Sequence, residues 1–440
     1  MKKVIIISTT MLLCFTAGAQ INEVHKQLLN VALQNNHSIQ QSALELEKQT
    51  KKVNEVRASG LPEIKATVNS KNYIDMPVVI IPGEIFGMPQ DVEASLGKPN
   101  NMDAGISASQ LLINVPFIYG LKTAKSAVEL YELLKIKSEE DVIYQVSYAY
   151  YMYLASKESL KILYENLETI EVNKNITQSL VENNLALPSD ILRLESKETE
   201  LKNQVNIVTT SIREQEQNIA LLLGTDKYKI PEIDDTLGSG SMELLLDSSV
   251  VERTELKMLK QQLHLSELSV KSSKASYYPT LSLYGNYMYN AQRDKFNYFD
   301  SNEKWNKTSL IGVQLSIPLF TGGKNNAKFS QAKIDYNITQ SKFTQAKQRF
   351  HQEQSIAIDK YNDSREISAS LYQNTIRAKD IYEITSLKYK EGLLPLTELL
   401  IADAEFSTAK LNYTKGLLDL YVAELNIYKA NGQLITLTNN

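Results

Sequence analysis

Apolar positions along most of this chain recur in steps of three and four. One stripe runs through Ile191, Leu194, Glu198, Leu201, Val205, Val208, Ile212, Gln215, Ile219 and Leu222, and eight of these ten residues are apolar. Nearly five heptads of this pattern predict a long amphipathic helix that packs as in a coiled coil. A second stripe, Leu399, Ala402, Phe406, Ala409, Tyr413, Gly416, Leu420, Ala423 and Ile427, alternates large and small side chains throughout. A neighbouring helix can set a large side chain opposite each small one. Other stretches alternate with a period of two. Ile64, Ala66 and Val68 oppose Lys65, Thr67 and Asn69, and Ile106 and Ala108 oppose Gly105, Ser107 and Ser109. Ile311, Val313, Leu315 and Ile317 oppose Gly312, Gln314 and Ser316, and a less regular stretch covers 281–289. These predict four strands, each with one apolar face.

The elements come twice. Ala58-Ser59-Gly60-Leu61-Pro62 returns as Ala275-Ser276-Tyr277-Tyr278-Pro279, Leu187-Pro188 as Leu394-Pro395, and Gly224 as Gly432. Each copy reads helix (about 21–58, then 247–275), strand, polar loop, strand, very long helix (about 120–183, then 324–391), tight turn and return helix (about 189–223, then 396–430). A helix of about 64 residues would be about 95 Å long, more than an ordinary globular core needs. The expected organisation is 1–19 signal peptide, 20–224 first copy, 225–246 inter-copy linker or equatorial segment, 247–432 second copy and 433–440 C-terminal tail. The linker carries Pro231, Gly238 and Gly240, as a boundary would.

The start of the chain sets the compartment. Lys2 and Lys3 precede an apolar run over 4–15, and Ala17-Gly18-Ala19 offers a cleavage site, so the mature chain is expected from Gln20. The run is too short for a membrane-spanning helix, which disfavours a retained anchor. Cys14, the only cysteine, follows Leu13 rather than a small residue, so no lipid anchor is expected and the mature chain has no thiol for a disulfide or metal site. Removing two lysines and no acids from a chain of formal charge −4 leaves −6, which argues against a nucleic-acid partner. No later stretch is apolar for long enough to span as a helix, and a closed barrel is the other structure that satisfies its backbone in lipid.

Four strands cannot enclose a lumen, whereas three protomers would supply twelve. Exposed edges in lipid would make that oligomer obligatory. The first inter-strand loop, 74–103, is long and carries Pro77, Pro82, Pro89, Pro99 and the apolar run Val78-Val79-Ile80-Ile81. It is expected outside the cell, folding over the barrel mouth or packing on an aromatic belt.

Catalytic constellations do not emerge. His25, His37, His264 and His351 are scattered, and the acids lie on helix faces where solvent is the default. Gly322-Gly323-Lys324 lacks both the upstream glycine and the following Ser or Thr of a phosphate loop. Neither an enzyme nor a resident cofactor or metal is expected. Helical tyrosines such as Tyr131, Tyr150, Tyr153, Tyr164 and Tyr421 suit packing better than sugar binding.

The order and duplication of these elements resemble the TolC-like outer membrane efflux protein family. Gln314-Leu315-Ser316-Ile317-Pro318-Leu319-Phe320-Thr321-Gly322-Gly323-Lys324 looks like the family's strand-to-helix segment, with Pro318, Gly322 and Gly323 at the bend. Lys388-Tyr389-Lys390-Glu391-Gly392, with Pro395, Leu399 and Ala402, looks like its periplasmic helix turn. The resemblance spans nearly all of the mature chain and implies a fold of α plus transmembrane β. Long antiparallel coiled-coil hairpins and four strands per protomer would form a trimeric, twelve-stranded outer-membrane barrel with a periplasmic helical tunnel. It implies a homotrimer in outer-membrane lipid that gives passive exit to substrates from an inner-membrane pump, proton-driven or of the ABC type, through a periplasmic adaptor. Leu187, Pro188, Gly392, Leu394 and Pro395 would be the adaptor-contacting turn residues. Family members close the tunnel with two acids three residues apart. The first matches Glu398, but the second falls on Ile401, a departure that leaves the acidic ring in question. Glu398 and Asp403, with Asp190 in the first copy, are the constriction candidates; a solvated acid near the helix N-terminus is an equally open reading of each. The alternative for the whole chain is a periplasmic coiled-coil adaptor or scaffold without a barrel.

Overall fold

The computed structural model describes residues 23–95, 97–228, 230–231 and 253–439. The expected leader and most of the expected inter-copy segment lie outside the described residues. The helices are α1 (Glu23–Asn35), α2 (His37–Ala58), α3 (Val115–Glu182), α4 (Pro188–Leu222), α5 (Thr254–Ala275), α6 (Lys324–Lys390), α7 (Leu396–Asn431) and a short α8 (Thr436–Asn439). The strands are β1 (Glu63–Asn72), β2 (Val78–Ile81), β3 (Val92–Ser95), β4 (Asn100–Ile113), β5 (Thr280–Arg293) and β6 (Asn306–Ser316). The chain forms two compact units, and each draws on both copies.

The strand unit comprises 46–131 and 259–342. Its four-stranded sheet has the order β1-β4-β5-β6, with every neighbouring pair antiparallel. The register puts Ile64 opposite Ala108, Ala66 opposite Ile106, Ile106 opposite Tyr287, Leu283 opposite Val313 and Gly285 opposite Ile311. One face is therefore apolar across all four strands, because residues in register share a side. That face is bare: Ile64, Val68, Val313 and Leu315 are exposed, and Ile311 is 79% exposed. Lys65, Thr67, Ser107, Ser109, Asn286 and Gln314 share the other face. β1 and β6 each lack a second strand neighbour among the described residues.

Two expectations are corrected within this unit. The 74–103 loop holds its own antiparallel hairpin, β2 with β3, joined through a 3₁₀ turn at Gly83–Phe86. Helix α3 starts at Val115 rather than near 120. Asn114 caps it by accepting the Phe117 N–H at 2.9 Å, and Pro116 is tolerated because the first turn has no partner for that N–H anyway.

Of the described residues, the helical unit comprises 23–45, 132–228, 230–231, 253–258 and 343–439. One core joins Leu28 and Leu29 of α1, Ile143 and Val146 of α3, Ile219 of α4, Leu425 of α7 and Leu437 of α8. A second joins Ile170 and Leu180 of α3, Leu194 and Leu201 of α4, Tyr389 of α6 and Leu396 and Leu399 of α7. The alternating stripe on α7 acts as its pattern implies. A Cβ on Gly416 would lie 2.7 Å from the Leu371 side chain, so the small residue admits the close approach of α6. His25 is buried, stacked on Tyr150 at 5.2 Å and bonded to Ser147 at 2.8 Å. Burial pushes its imidazole down to about 4, so it is a neutral packing residue at pH 7.

The first helix is not continuous. Asn36 separates α1 from α2 by accepting the N–H groups of Ser38 and Ile39 at 2.8 and 3.4 Å. Its own amide donates to the Leu222 carbonyl at 2.6 Å, so the break also anchors the end of α4.

Candidate functional site

The two helix turns end their helices in the same way. After α3 the Leu185 N–H reaches back to the Leu180 carbonyl, and that of Asn184 to Val181. After α6 the Leu393 N–H reaches Lys388, and that of Gly392 reaches Tyr389. Both are Schellman closures, with Asn184 (φ 59°) and Gly392 (φ 73°) in the left-handed position. The turns lie side by side, since a Cβ on Gly392 would sit 3.7 Å from Leu185. Below them Thr177 and Tyr389 share a buried hydroxyl bond of 2.6 Å, which ties α3 to α6. Asn184→Val should cost about 1–2 kcal/mol, because a β-branched residue resists that backbone conformation, whereas Asn184→Gly should cost nothing. Equal melting temperatures for both variants would contradict this.

The turn surface is apolar. Leu185, Leu187 and Leu393 are exposed, Leu393 at 71%, beside the exposed Pro188 and Pro395 and the half-buried Leu394. Leu185 and Leu393 were missed in the sequence because turn residues fall outside any helical stripe.

The three candidate acids have different surroundings. Asp190, half-buried, accepts the Leu187 N–H at 3.2 Å and so caps α4. Glu398 is exposed in the first turn of α7, one turn before the exposed Ile401. Asp403 is only 6% exposed and faces inward. It lies close enough to Tyr382 of α6 to affect it electrostatically, and the Tyr382 hydroxyl sits among Ser386, Thr169 and Asn173. Burial raises the Asp403 carboxyl to about 6, against the opposing pull of Lys197 and Lys410. Glu398 and Asp403 are thus not brought together.

The strand-to-helix segment after β6 reverses through Gly322 (φ 60°) and Gly323 (φ 80°), two consecutive left-handed residues that only glycine adopts freely. The Lys324 N–H closes on Thr321, and the Asn325 amide reaches the Ser276 carbonyl at 3.3 Å. The segment from Pro318 is therefore a bend. Leu319 and Phe320 stand almost fully exposed on it, and Tyr277 and Tyr278 are exposed on the helix-to-strand bend before β5. No group of three His, Cys, Asp or Glu residues that could hold a metal occurs among the described residues. No described helix is long and apolar enough to cross a membrane.

Comparison with known proteins fits this architecture. The family description "Outer membrane efflux protein" matches residues 245–433. The probable efflux pump outer membrane protein TtgC of Pseudomonas putida is 23% identical, over 92% of this chain and 82% of its own length. The outer membrane protein TolC of Vibrio cholerae is 22% identical, over 76% of this chain and 77% of its own length. The open-state MtrE outer membrane channel of Neisseria gonorrhoeae superposes with a TM-score of 0.75 at 17% identity, covering 93% of this chain and 89% of that one. The fold is that of the solved outer-membrane channel it superposes on, with a four-stranded sheet and long antiparallel helices. Residues 245–433 thus match the outer membrane efflux protein description, and the chain is similar over most of its length to outer-membrane efflux proteins.

Proposed function

We propose that three copies of this chain close a twelve-stranded outer-membrane barrel continued by a periplasmic tunnel of helical hairpins. The duct gives passive exit to substrates that an inner-membrane pump, working through a periplasmic adaptor, delivers for efflux or secretion. The observation that carries this is the four-stranded sheet with one bare apolar face and two unpaired edge strands. In water such a face and such edges invite aggregation, whereas in lipid the face is solvated and cyclic pairing of β6 with β1 of the next copy satisfies the edges. A periplasmic scaffold would have no use for that face. Residues 20–224 and 247–432 serve as the two copies and 225–246 as their link, so three chains supply six hairpins. Leu187, Pro188, Gly392, Leu394 and Pro395 meet the adaptor through the exposed turn surface.

Glu398 lines the closed end of the tunnel in this reading, while the inward-facing Asp403 holds the surrounding helices. The purified protein should conduct ions across a planar bilayer. Glu398→Ala should weaken cation preference and raise closed-state conductance by roughly twofold or more, as loss of a charge ring would. Recovery of the protein in the soluble periplasmic fraction without detergent would sink the channel reading. Unchanged selectivity and conductance in Glu398→Ala would sink the gate alone.

A further inference from the structure

The helix segments that border the sheet in sequence are unusually basic. Residues 47–58, 115–126, 264–275 and 324–335 contain eleven Lys or Arg against four acids, a net charge of +7 in a chain whose total is −4. All four segments belong to the strand unit. Lys125, Lys274, Lys324 and Lys328 are exposed and have no acid partner among the described residues. Two grooves take in Lys125 and Lys274. One, of about 430 Å³ between α3 and α5, is lined by Lys122, Lys125 and Lys271, with His264 and a single acid, Glu129. The other, of about 390 Å³ between α5 and α6, sets Lys274 beside Tyr277, Tyr278 and Phe329. Moving along the chain from strand to helix, the lipid-type face gives way to an exposed rim of Tyr277, Tyr278, Leu319 and Phe320, and then to lysines.

We propose that these segments form a basic collar that binds the phosphate headgroups of anionic phospholipids in the adjoining leaflet. The inference rests on the reading above that the sheet lies in the bilayer. Lys122 is seven residues past the start of α3, about 10 Å along the helix, which is within a Debye length of a headgroup layer at the bend. The aromatic rim sits at the interface, the lysine stems follow it, and the ammonium groups meet the phosphates. Each juxtamembrane cation strengthens attraction to an anionic surface by roughly fivefold, so several acting together give strong, salt-sensitive selection of anionic lipid.

The test uses the full-length protein in nanodiscs of phosphatidylcholine, alone or mixed with phosphatidylglycerol, and reads the temperature at which the oligomer dissociates. Phosphatidylglycerol should raise that temperature in the unchanged protein. Combined Lys122→Gln, Lys125→Gln, Lys274→Gln, Lys324→Gln and Lys328→Gln substitutions should remove at least about half of the rise, as should a roughly tenfold increase in salt. The same five positions changed to Arg should keep it, which separates lost charge from lost folding. A full rise in the Gln variant, or its loss in the Arg variant, overturns the collar. Inorganic phosphate added to phosphatidylcholine discs should leave the temperature unchanged; a matching rise would make free phosphate the ligand and overturn the lipid assignment. Failure of the unchanged protein to enter any disc overturns the membrane reading itself, whereas entry without a phosphatidylglycerol effect overturns the collar alone.

Discussion

Replacing Val313 with proline is expected to abolish the oligomer and remove the protein from the outer membrane. Val313 lies in the middle of β6, opposite Leu283 of β5, with its side chain on the bare apolar face. Proline deletes one N–H from the ladder. In an isolated sheet the loss would be modest on an outer edge, where water replaces the partner. In a closed barrel no edge exists, so the loss strikes either the bond to β5 or the bond to the next copy. The partner carbonyl is then stranded in hydrocarbon, at a cost of several kcal/mol. Val313→Ala keeps the ladder and should retain a heat-sensitive oligomer band in detergent. Wild-type amounts of that band in Val313→Pro would mean that β6 remains a free edge.

The second large effect concerns Glu424 on α7, which is 4% exposed and has one carboxyl oxygen without any hydrogen-bond partner. Its titratable neighbours are tyrosines, Tyr151 of α3, Tyr361 of α6 and Tyr428 of α7, and no cation among the described residues offsets its burial. Desolvation pushes its carboxyl up to about 8 from an ordinary 4.5. Between those values the folded protein keeps a proton that the unfolded chain has released. Stability contributed by this group is therefore complete below pH 4.5 and falls as pH rises, by about 1.4 kcal/mol per unit until pH 8. Glu424→Gln removes the titration and should gain on the order of 4 kcal/mol over the unchanged protein at pH 8, while the two should nearly coincide at pH 4.5. Melting at the two pH values is the measurement, and equal melting temperatures at pH 8 would refute the assignment.

Much of this fold was legible in the sequence because strands and helices leave different periods. Ile311, Val313, Leu315 and Ile317 alternate with Gly312, Gln314 and Ser316 because successive strand residues take opposite sides, and the register of β5 and β6 keeps that division. Hairpin β2–β3 was not legible, because Val78-Val79-Ile80-Ile81 is apolar without alternation and reads equally well as a loop or a buried segment. The break at Asn36 was hidden for another reason. The apolar spacing continues on both sides of it, and only the side-chain bonds to Ser38, Ile39 and Leu222 reveal the interruption. The candidate acids were found by position alone, and position does not distinguish the cap formed by Asp190, the exposed carboxylate of Glu398 and the buried carboxyl of Asp403. The kinship of Asn184 with Gly392 also escaped, since the residues differ and only their backbone bonds agree.

Those backbone closures reach further than the turns. Gly224 and Gly432 repeat the same pair of reverse bonds, at the same separation of 208 positions as Asn184 and Gly392. At the outer ends of the described chain, α1 and α8 share one core through Leu28 and Leu437. Together these features suggest that the order in which the copies are synthesised is a historical accident rather than a folding requirement. A circular permutant that joins α8 to α1 through a short tether would place the second copy first and still offer the same edges to its neighbours.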